Sequence, residues 1–310
     1  MKLEDIINAK KRLEPVLFKT SLMPVPDIEG YSAFIKPENL QRTGSFKIRG
    51  AYNKISLLND EEKSRGIIAC SAGNHAQGVA FASKNFGIHS VICMPKNTPN
   101  IKVEETKFYG SEVVLVDGTY DDSYEKALEL KEKYGYTFVH PFNDTDVIAG
   151  QGTIGLEILE DNPEIDTVIV PVGGGGLISG IAYAVKSINP KIKVYGVQVI
   201  AAPGMYASLA AGYVKRVETK NTIADGIAVK EVGNLTLDFV KKYVDDIVTV
   251  NESEVIATMK ILFQYEKLVV EGAGATSAAA VLTEKIPLTN RKIAVVISGG
   301  NVDFSKFTNL

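Results

Sequence analysis

Apolar positions along the chain fall into short, nearly continuous runs that alternate with longer stretches of helical periodicity. Runs rich in valine and isoleucine are typical of strands that are covered on both faces of a sheet. The predicted strands are 66–70, 90–94, 112–116, 137–140, 166–172, 193–199, 246–250 and 292–297. The helices predicted between and after them are 74–86, 100–108, 121–134, 153–161, 177–187, 253–263 and 273–284.

Strands that alternate with helices predict an α/β fold built on mostly parallel sheets. The first four strands and their helices form a compact block, and no linker rich in Pro, Gly or Ser separates it from the rest. We therefore predict two open, twisted, mostly parallel sheets flanked by helices. Residues 1–65 and 144–310 are expected to form a large domain, into which a small domain of residues 66–143 is inserted.

The composition is that of an ordinary globular protein, with 45% hydrophobic and 23% charged residues among 310. A formal net charge of −3 disfavours nucleic acid and anionic membranes as partners. No apolar run is long enough to span a bilayer, and the first residues mix charges instead of forming a signal peptide. Two cysteines, Cys70 and Cys93, are too few for a disulfide framework or a cysteine zinc site. We therefore expect a cytoplasmic protein and predict no metal site.

Three glycine-bearing turns follow predicted strands, at the strand ends where open parallel sheets bind ligands. The most distinctive turn is a run of four glycines, residues 173–176, which leads into a predicted helix. Glycine lets the backbone approach an anion closely, and the first amides of a helix have no intrahelical acceptor. The run therefore predicts a phosphate site, although a tight turn that packs a helix on a sheet would also use glycine. It matches neither the Walker sequence nor the dinucleotide fingerprint.

The other two turns are 71–75, which reads Ser-Ala-Gly-Asn-His, and 298–301, which reads Ser-Gly-Gly-Asn. In the first, a hydroxyl, an amide side chain and helix-start amides can all donate to a carboxylate. Serine and asparagine are also common at helix N-termini, so a purely structural interpretation stays open. The three histidines of the chain, His75, His89 and His140, are expected to be structural, and His75 is not expected to be a general base.

Lys47 lies between Phe46 and Ile48, in a segment bracketed by Gly44 and Gly50. Most lysines are solvated surface charges, but a lysine held against apolar surface has its neutral amine favoured, as a nucleophile requires. A lone amine and a phosphate site together indicate a phosphorylated cofactor that carries a carbonyl group. Pyridoxal phosphate is the common cofactor that needs both.

Four segments, 44–50, 71–75, 173–176 and 298–301, occur in an order and at separations that resemble the threonine and serine dehydratases. These are pyridoxal-phosphate enzymes of the tryptophan-synthase β-like family, also called fold type II, and the resemblance covers about residues 13–304. It implies that the cofactor lies in a cleft between the large and the small domain. It also implies a homodimer or homotetramer, and a place in amino-acid metabolism such as isoleucine biosynthesis.

The resemblance implies a role for each matching position. Lys47 would bond to the cofactor aldehyde and act as the catalytic base, with Phe46 packed beside the ring. Asn74 would bond the ring hydroxyl, and Ser298 would meet the ring nitrogen. The phosphate would be held by the backbone amides of Gly173, Gly174, Gly175, Gly176 and Leu177. The substrate carboxylate would be bound by Ser71, Gly73, Asn74 and His75.

The implied reaction is loss of water from L-threonine, and also from L-serine, which gives 2-oxobutanoate or pyruvate and ammonia. Serine racemase is an alternative, because it shares these segments. Two departures argue against it. Ala72 stands where racemases of the family carry a serine, and Gln198 and Gly204 stand where the eukaryotic racemases have metal-binding carboxylates.

A non-catalytic protein that binds a nucleotide or the cofactor through residues 173–176 is a further alternative, but it leaves Lys47 without a role. Residues 222–226 resemble a family segment that lines the active site, yet they are also typical of an Asp-Gly turn. Glu271 either faces the cofactor or is simply an acid in the first turn of a helix. The chain as given ends at Leu310, and we expect no C-terminal regulatory domain.

Overall fold

The computed structural model describes residues 1–26, 30–303 and 307–308, which form two sheets with helices packed on them. The strands are β1 (Met23–Val25), β2 (Ser32–Pro37), β3 (Ile67–Cys70), β4 (Ser90–Pro95), β5 (Glu112–Val116), β6 (Thr137–Phe138), β7 (Thr167–Pro171), β8 (Lys193–Val199), β9 (Asp246–Val250) and β10 (Lys292–Ile297). The large sheet has the order β1-β2-β10-β7-β8-β9, in which β1 is antiparallel to β2 and every other pair is parallel. The small sheet, β5-β4-β3-β6, is parallel throughout.

α-Helices pack on these sheets, and three short helical turns of other types lie along the described chain. The α-helices are α1 (Leu3–Leu13), α2 (Lys47–Ser56), α3 (Asp60–Arg65), α4 (Asn74–Phe86), α5 (Asn100–Phe108), α6 (Tyr120–Tyr134), α7 (Thr145–Asp161), α8 (Gly176–Ile188), α9 (Gly204–Ala211), α10 (Asn234–Tyr243), α11 (Glu252–Ile261) and α12 (Gly272–Leu282). Two 3₁₀ turns lie at Glu38–Leu40 and Asp225–Ile227, and a π-helical turn follows α11 at Leu262–Glu266. Among the described residues, no helix combines the length and the apolar character needed to cross a membrane.

The predicted fold class is confirmed, and each of the eight predicted strands is present with its bounds shifted by two residues or fewer. The central strands are buried on both faces, as their continuous apolar sequences require; all residues of β3 and β7 are buried. The small sheet is built from strands within residues 66–143. The exact division of the chain into a large and an inserted small domain stays a prediction.

The prediction of a helix at 153–161 was too short, because α7 begins eight residues earlier. The Asp144 side chain caps this helix by accepting hydrogen bonds from the backbone amides of Asp146 and Val147. Gly150 and Gly152 lie inside the helix and weaken its sequence signal. Several elements have no counterpart among those predicted from the sequence, namely β1, β2, α1, α2, α3, α9 and α10.

Close packing explains why α2 was missed. A Cβ atom on Gly50 would lie 2.4 Å from the Gln151 side chain, and one on Gly150 would lie 2.7 Å from the Gly50 Cα. The backbones of α2 and α7 therefore approach so closely that only glycine fits at the crossing. Glycine is a poor helix former on its own, so tertiary packing decides the helix here.

A buried cluster of charges also fixes α2. The Arg49 guanidinium donates to both carboxylate oxygens of Glu38, at 2.7 and 2.8 Å, and to both of Glu157, at 2.6 and 2.9 Å. Lys36 on β2 donates to Glu157 at 2.6 Å and completes a neutral quartet. Arg49, Glu38 and Lys36 are at most 1% exposed. The quartet ties α2 to both the large sheet and α7.

Candidate active site

The fold brings the four sequence segments together through strand order. The strands β2, β10 and β7 are neighbours in the large sheet. Their carboxyl ends lead to Lys47, Ser298 and the four-glycine run respectively, and β3 of the small sheet leads to Ser71. Because ligands bind at the carboxyl ends of parallel strands, this edge is the candidate active site.

The backbone around Lys47 is held directly against the end of β10. The Phe46 amide donates to the Ser298 carbonyl at 3.1 Å, and Ser45 forms an antiparallel bridge with Gly299. On the other side, a Cβ atom on Gly78 of α4 would lie 3.1 Å from the Lys47 carbonyl oxygen. Lys47, the first residue of α2, is therefore held between Ser298 on one side and α4 on the other.

The Lys47 amine lies in a partly apolar pocket. Its Nζ donates to the Pro141 carbonyl at 3.0 Å and lies 5.2 Å from the centroid of the Phe46 ring. Burial lowers the pKa of Lys47 from 10.5 to about 8, against an opposing effect of the Glu271 carboxylate. A lysine with such a pKa exists partly as a neutral amine near physiological pH, which is the nucleophilic form.

The four-glycine run forms an anion cradle at the start of α8. In the described part of the chain, the backbone amides of residues 173–177 donate to no protein acceptor. Gly175 has a φ of +96°, a conformation that strongly favours glycine. A Cβ atom on Gly174 would lie 2.4 Å from the Phe142 ring, and one on Gly175 would lie 2.6 Å from Met205. Tight packing and open amides therefore occur together, so the two interpretations of this run are compatible.

The turn at 71–75 forms the beginning of α4. The Ser71 hydroxyl accepts a hydrogen bond from the Gly73 amide at 3.2 Å. The amides of residues 74–76 have no acceptor within the described ranges, because the first helical bond runs from Gln77 to the Gly73 carbonyl. A Cβ atom on Gly73 would meet nothing within 4 Å. The helix start can therefore accept a carboxylate next to the Lys47 pocket.

Two histidines near Lys47 are neutral. The His75 ring is buried, with Nε2 2.9 Å from the Val139 carbonyl, and burial together with Lys47 lowers its pKa to about 3. His140 Nδ1 accepts from the amides of Phe142 and Asn143, and the same two causes lower its pKa to about 4. Neither ring carries charge at neutral pH, which agrees with the structural role predicted for both. His75 can therefore bind an anion through its backbone amide, not through its ring.

The structure places Glu271 beside Asn74, a predicted cofactor residue. Glu271 precedes α12, but its side chain makes no capping bond and instead accepts from Asn74 Nδ2 at 2.7 Å. Burial, with a smaller effect of Asp225, raises the pKa of Glu271 to about 7. A Cβ atom on Gly226 would lie 3.7 Å from Glu271 Oε1. Glu271 therefore bonds to a predicted cofactor residue. The 222–226 segment approaches Glu271 through Gly226 and also begins a 3₁₀ turn at Asp225, so both of its interpretations stay open.

Sequence reasoning missed three residues of the site, Pro141, Phe142 and Asn301. The Pro141 carbonyl accepts a hydrogen bond from the Lys47 amine, and Phe142 packs against the glycine cradle. The Asn301 side chain donates to Asn74 Oδ1 at 2.8 Å. The segment at 140–143 follows the carboxyl end of β6, so the strand-end rule would have found it. Asn301 stood in one of the four segments, but it was given no role.

Ala72 and Gln198 stand at positions where the sequence departs from the serine racemases, and both make ordinary packing or hydrogen-bond contacts. Ala72 is half-buried and packs on the core of the small sheet. The Gln198 amide oxygen accepts from the Tyr206 amide at 2.8 Å. Within the residues that the structure describes, no three His, Cys, Asp or Glu side chains are grouped as metal ligands.

A buried reactive amine, an open anion cradle and two adjoining parallel sheets define the class of pyridoxal-phosphate enzymes of fold type II. The sequence matches the family described as pyridoxal-phosphate dependent enzymes over residues 13–299, and the chain belongs to this family. Pyridoxal phosphate is the cofactor of the family. The site fits it, since it offers an amine for the aldehyde, five free amides for the phosphate and a second Asn74 amide hydrogen for the ring hydroxyl.

Comparison with characterised proteins narrows the class. The chain is 54% identical to the L-threonine ammonia-lyase of Thermotoga maritima, across 97% of this chain and 76% of the relative. It is 49% identical to the catabolic L-threonine dehydratase TdcB of Escherichia coli, across 99% and 95%. Among solved structures, maize serine racemase superposes with a TM-score of 0.95 at 39% identity, covering 99% and 96%. Threonine deaminase isoform 2 of Solanum lycopersicum gives 0.93 at 39%, covering 99% and 90%.

Proposed function

We propose that this chain is a threonine ammonia-lyase. It converts L-threonine, and also L-serine, to 2-oxobutanoate or pyruvate with release of ammonia. The observation that carries the proposal is the Lys47 amine, whose pKa is lowered to about 8 and which donates to the Pro141 carbonyl. The next residue, Phe142, packs against the glycine cradle. The relatives at 54% and 49% identity that are named for threonine support the choice of substrate.

The residues of the site divide the work as follows. Pyridoxal phosphate, when bound, supplies an aldehyde for amino groups and a ring that accepts electrons from the substrate Cα. The amides of Gly173, Gly174, Gly175, Gly176 and Leu177 hold its phosphate. Phe46 would pack beside the ring, and Asn74 would donate to the ring hydroxyl. The Ser298 hydroxyl would meet the ring nitrogen and, because it is neutral, would not favour protonation of that nitrogen as a carboxylate does.

The substrate carboxylate lies on the turn formed by Ser71, Gly73, Asn74 and His75, where backbone amides fix its orientation. Lys47 would hold the cofactor through its Nζ, and its amine, once free, would take the Cα proton as general base. A carboxylate fixed on one side and a base on the other hold the Cα–H bond in place for proton removal. The β-hydroxyl and the proton taken from Cα together leave as one water, and hydrolysis of the resulting enamine by water gives the 2-oxo acid and ammonia.

Racemisation of serine is disfavoured by Ala72. A racemase must return a proton to the opposite face of Cα, and a methyl group holds no proton to give. We therefore place this chain with the dehydratases, although maize serine racemase has nearly the same backbone. The relatives from Escherichia coli and Staphylococcus aureus are named catabolic, which favours a catabolic role over isoleucine biosynthesis.

We propose further that the enzyme works in the cytoplasm as a homodimer or homotetramer. Large apolar side chains that are exposed in the single chain support an oligomer; they include Phe108, Phe263 and Tyr265. Light scattering of the purified protein measures the mass directly. A monomer at micromolar concentration would contradict this part of the proposal.

Steady-state kinetics with L-threonine and L-serine, read as 2-oxo acid and ammonia, test the function. Both substrates should react, and a chiral assay should find no D-serine. Borohydride reduction followed by mass spectrometry should place the cofactor on Lys47, and Lys47→Ala should lose both the adduct and turnover. A colourless protein that binds a nucleotide and gives no adduct would instead favour the non-catalytic alternative.

A further inference from the structure

Asn301 lies at the centre of a chain of side-chain amides that ends in the candidate active site. Its Nδ2 group donates to three oxygens: Asn74 Oδ1 at 2.8 Å, Gln77 Oε1 at 2.9 Å and the Thr43 carbonyl at 2.8 Å. An amide nitrogen carries two hydrogens, so at least one of them is shared between two acceptors. Asn301 Nδ2 is therefore the donor in all three hydrogen bonds.

Each amide on either side of Asn301 is oriented by a carboxylate at its far end. Asn74 Nδ2 donates to Glu271 at 2.7 Å, and Gln77 Nε2 donates to Glu105 at 2.7 Å. In both pairs the amide nitrogen is the donor and the carboxylate oxygen the acceptor. Both amides therefore turn their nitrogens outward to the acids and their oxygens inward to Asn301.

The orientation of Asn301 itself is fixed by close packing. Its Oδ1 lies 2.1 Å from where a Cβ atom on Gly44 would be, and Gly44 has a φ of +67°. The Gly300 amide also donates to the Gly44 carbonyl at 2.9 Å. A flipped Asn301 would turn Oδ1 towards three other oxygens and lose all three hydrogen bonds. Gly44 is therefore required for the approach of Asn301, which explains why a glycine precedes the lysine segment.

We propose that Asn301 is a positioning residue that holds Asn74 in the one orientation that presents Nδ2 to the cofactor ring. This inference rests on the proposed function, in which Asn74 donates to the ring hydroxyl. One Nδ2 hydrogen of Asn74 goes to Glu271, and the second has no acceptor among the described residues. Without Asn301, Asn74 Oδ1 loses its donor, and only the hydrogen bond from Nδ2 to Glu271 still opposes a turn of the amide.

A double-mutant cycle on cofactor binding tests this without relying on turnover. Apoprotein is titrated with pyridoxal phosphate, and the dissociation constant and the pH titration of the visible absorbance band are measured. Asn74→Ala and Asn301→Ala should each weaken binding about 3- to 10-fold, the size of one neutral hydrogen bond. If Asn301 acts through Asn74, the double variant should match Asn74→Ala alone to within about twofold.

Two further variants sharpen the test. Asn301→Asp places a carboxylate among three acceptors and should weaken binding more than Asn301→Ala does. Gln77→Met removes the other arm of the chain, and it should leave the dissociation constant and the absorbance band within about twofold of the wild type. If Asn301→Ala does not fold, Asn301→Ser takes its place in the cycle.

The outcomes separate this inference from the proposed function. If borohydride places no cofactor on Lys47 in the wild type, the proposed function fails, whatever Asn301 does. If the adduct forms and the effects of Asn74→Ala and Asn301→Ala multiply in the double variant, only the positioning role is overturned. An unchanged absorbance band in Asn301→Ala would also overturn it.

Discussion

The side-chain amide of Asn74 donates to Glu271 Oε1 at 2.7 Å, across 197 positions of sequence. This hydrogen bond joins the start of α4, which packs with the small sheet, to the start of α12, which packs on the large sheet. Burial raises the pKa of Glu271 to about 7, and the bond to Asn74 acts against that rise. Glu271 is therefore a titratable group at the junction of the two sheets.

Glu271 should make the stability of the apoprotein depend on pH. Its pKa is higher in the folded chain than the ordinary 4.5, so its stabilising contribution is fully present below about pH 4.5 and is lost as pH rises through 7. The full effect is roughly 3 kcal/mol. Urea unfolding at a series of pH values should show a smaller decline for Glu271→Gln than for the wild type. Identical pH profiles would contradict the assignment.

The reactivity of Lys47 should follow a pKa of about 8. Covalent attachment of pyridoxal phosphate to the apoprotein requires the neutral amine, so the attachment rate should rise with pH and level off above about pH 8. An ordinary lysine would keep rising towards pH 10.5. Stopped-flow absorbance measures the rate, and Lys47→Ala serves as the blank. A rate that still increases tenfold per pH unit above pH 9 would refute a lowered pKa.

Gly174→Ala should disrupt the phosphate cradle. Its new Cβ atom would lie 2.4 Å from the Phe142 ring, and overpacking of this kind costs about 1–3 kcal/mol. Cofactor affinity should fall about tenfold or more, and replacing Phe142 with alanine in the same protein should restore part of it. Gly73→Ala is the matched control, because a Cβ atom there meets nothing within 4 Å. It should keep cofactor affinity, while the KM for threonine increases because the carboxylate turn is narrowed.

Arg49→Met should destabilise the protein by about 3–5 kcal/mol, because it leaves the buried Glu38 carboxylate without its partner. The denaturation midpoint in urea measures the loss. Adding Glu38→Gln should recover part of it, since the stranded charge is then removed. A double variant that is as unstable as the sum of its parts would mean that Arg49 and Glu38 act independently.

The strand framework and the reacting groups were readable from the sequence for physical reasons. Continuous apolar runs such as 292–297 can be accommodated only as strands covered on both faces, and that pattern survives in any tertiary context. The glycines at 173–176 form a run of four directly after a predicted strand, and Lys47 is flanked by Phe46 and Ile48. Local chemistry and the glycine turns after predicted strands were therefore enough to predict the class of cofactor and the edge of the sheet that binds it.

The sequence specifies which groups are available: a lysine between apolar neighbours, four consecutive glycines, and a serine after the last strand. The surroundings and orientation of these groups depend on the folded chain. The pKa of Lys47 depends on burial, and Pro141, which receives its amine, is 94 positions away. The orientation of Asn74 depends on Asn301, 227 positions away. Desolvation and hydrogen-bond direction arise from contacts between distant segments, and such contacts exist only once the chain is folded.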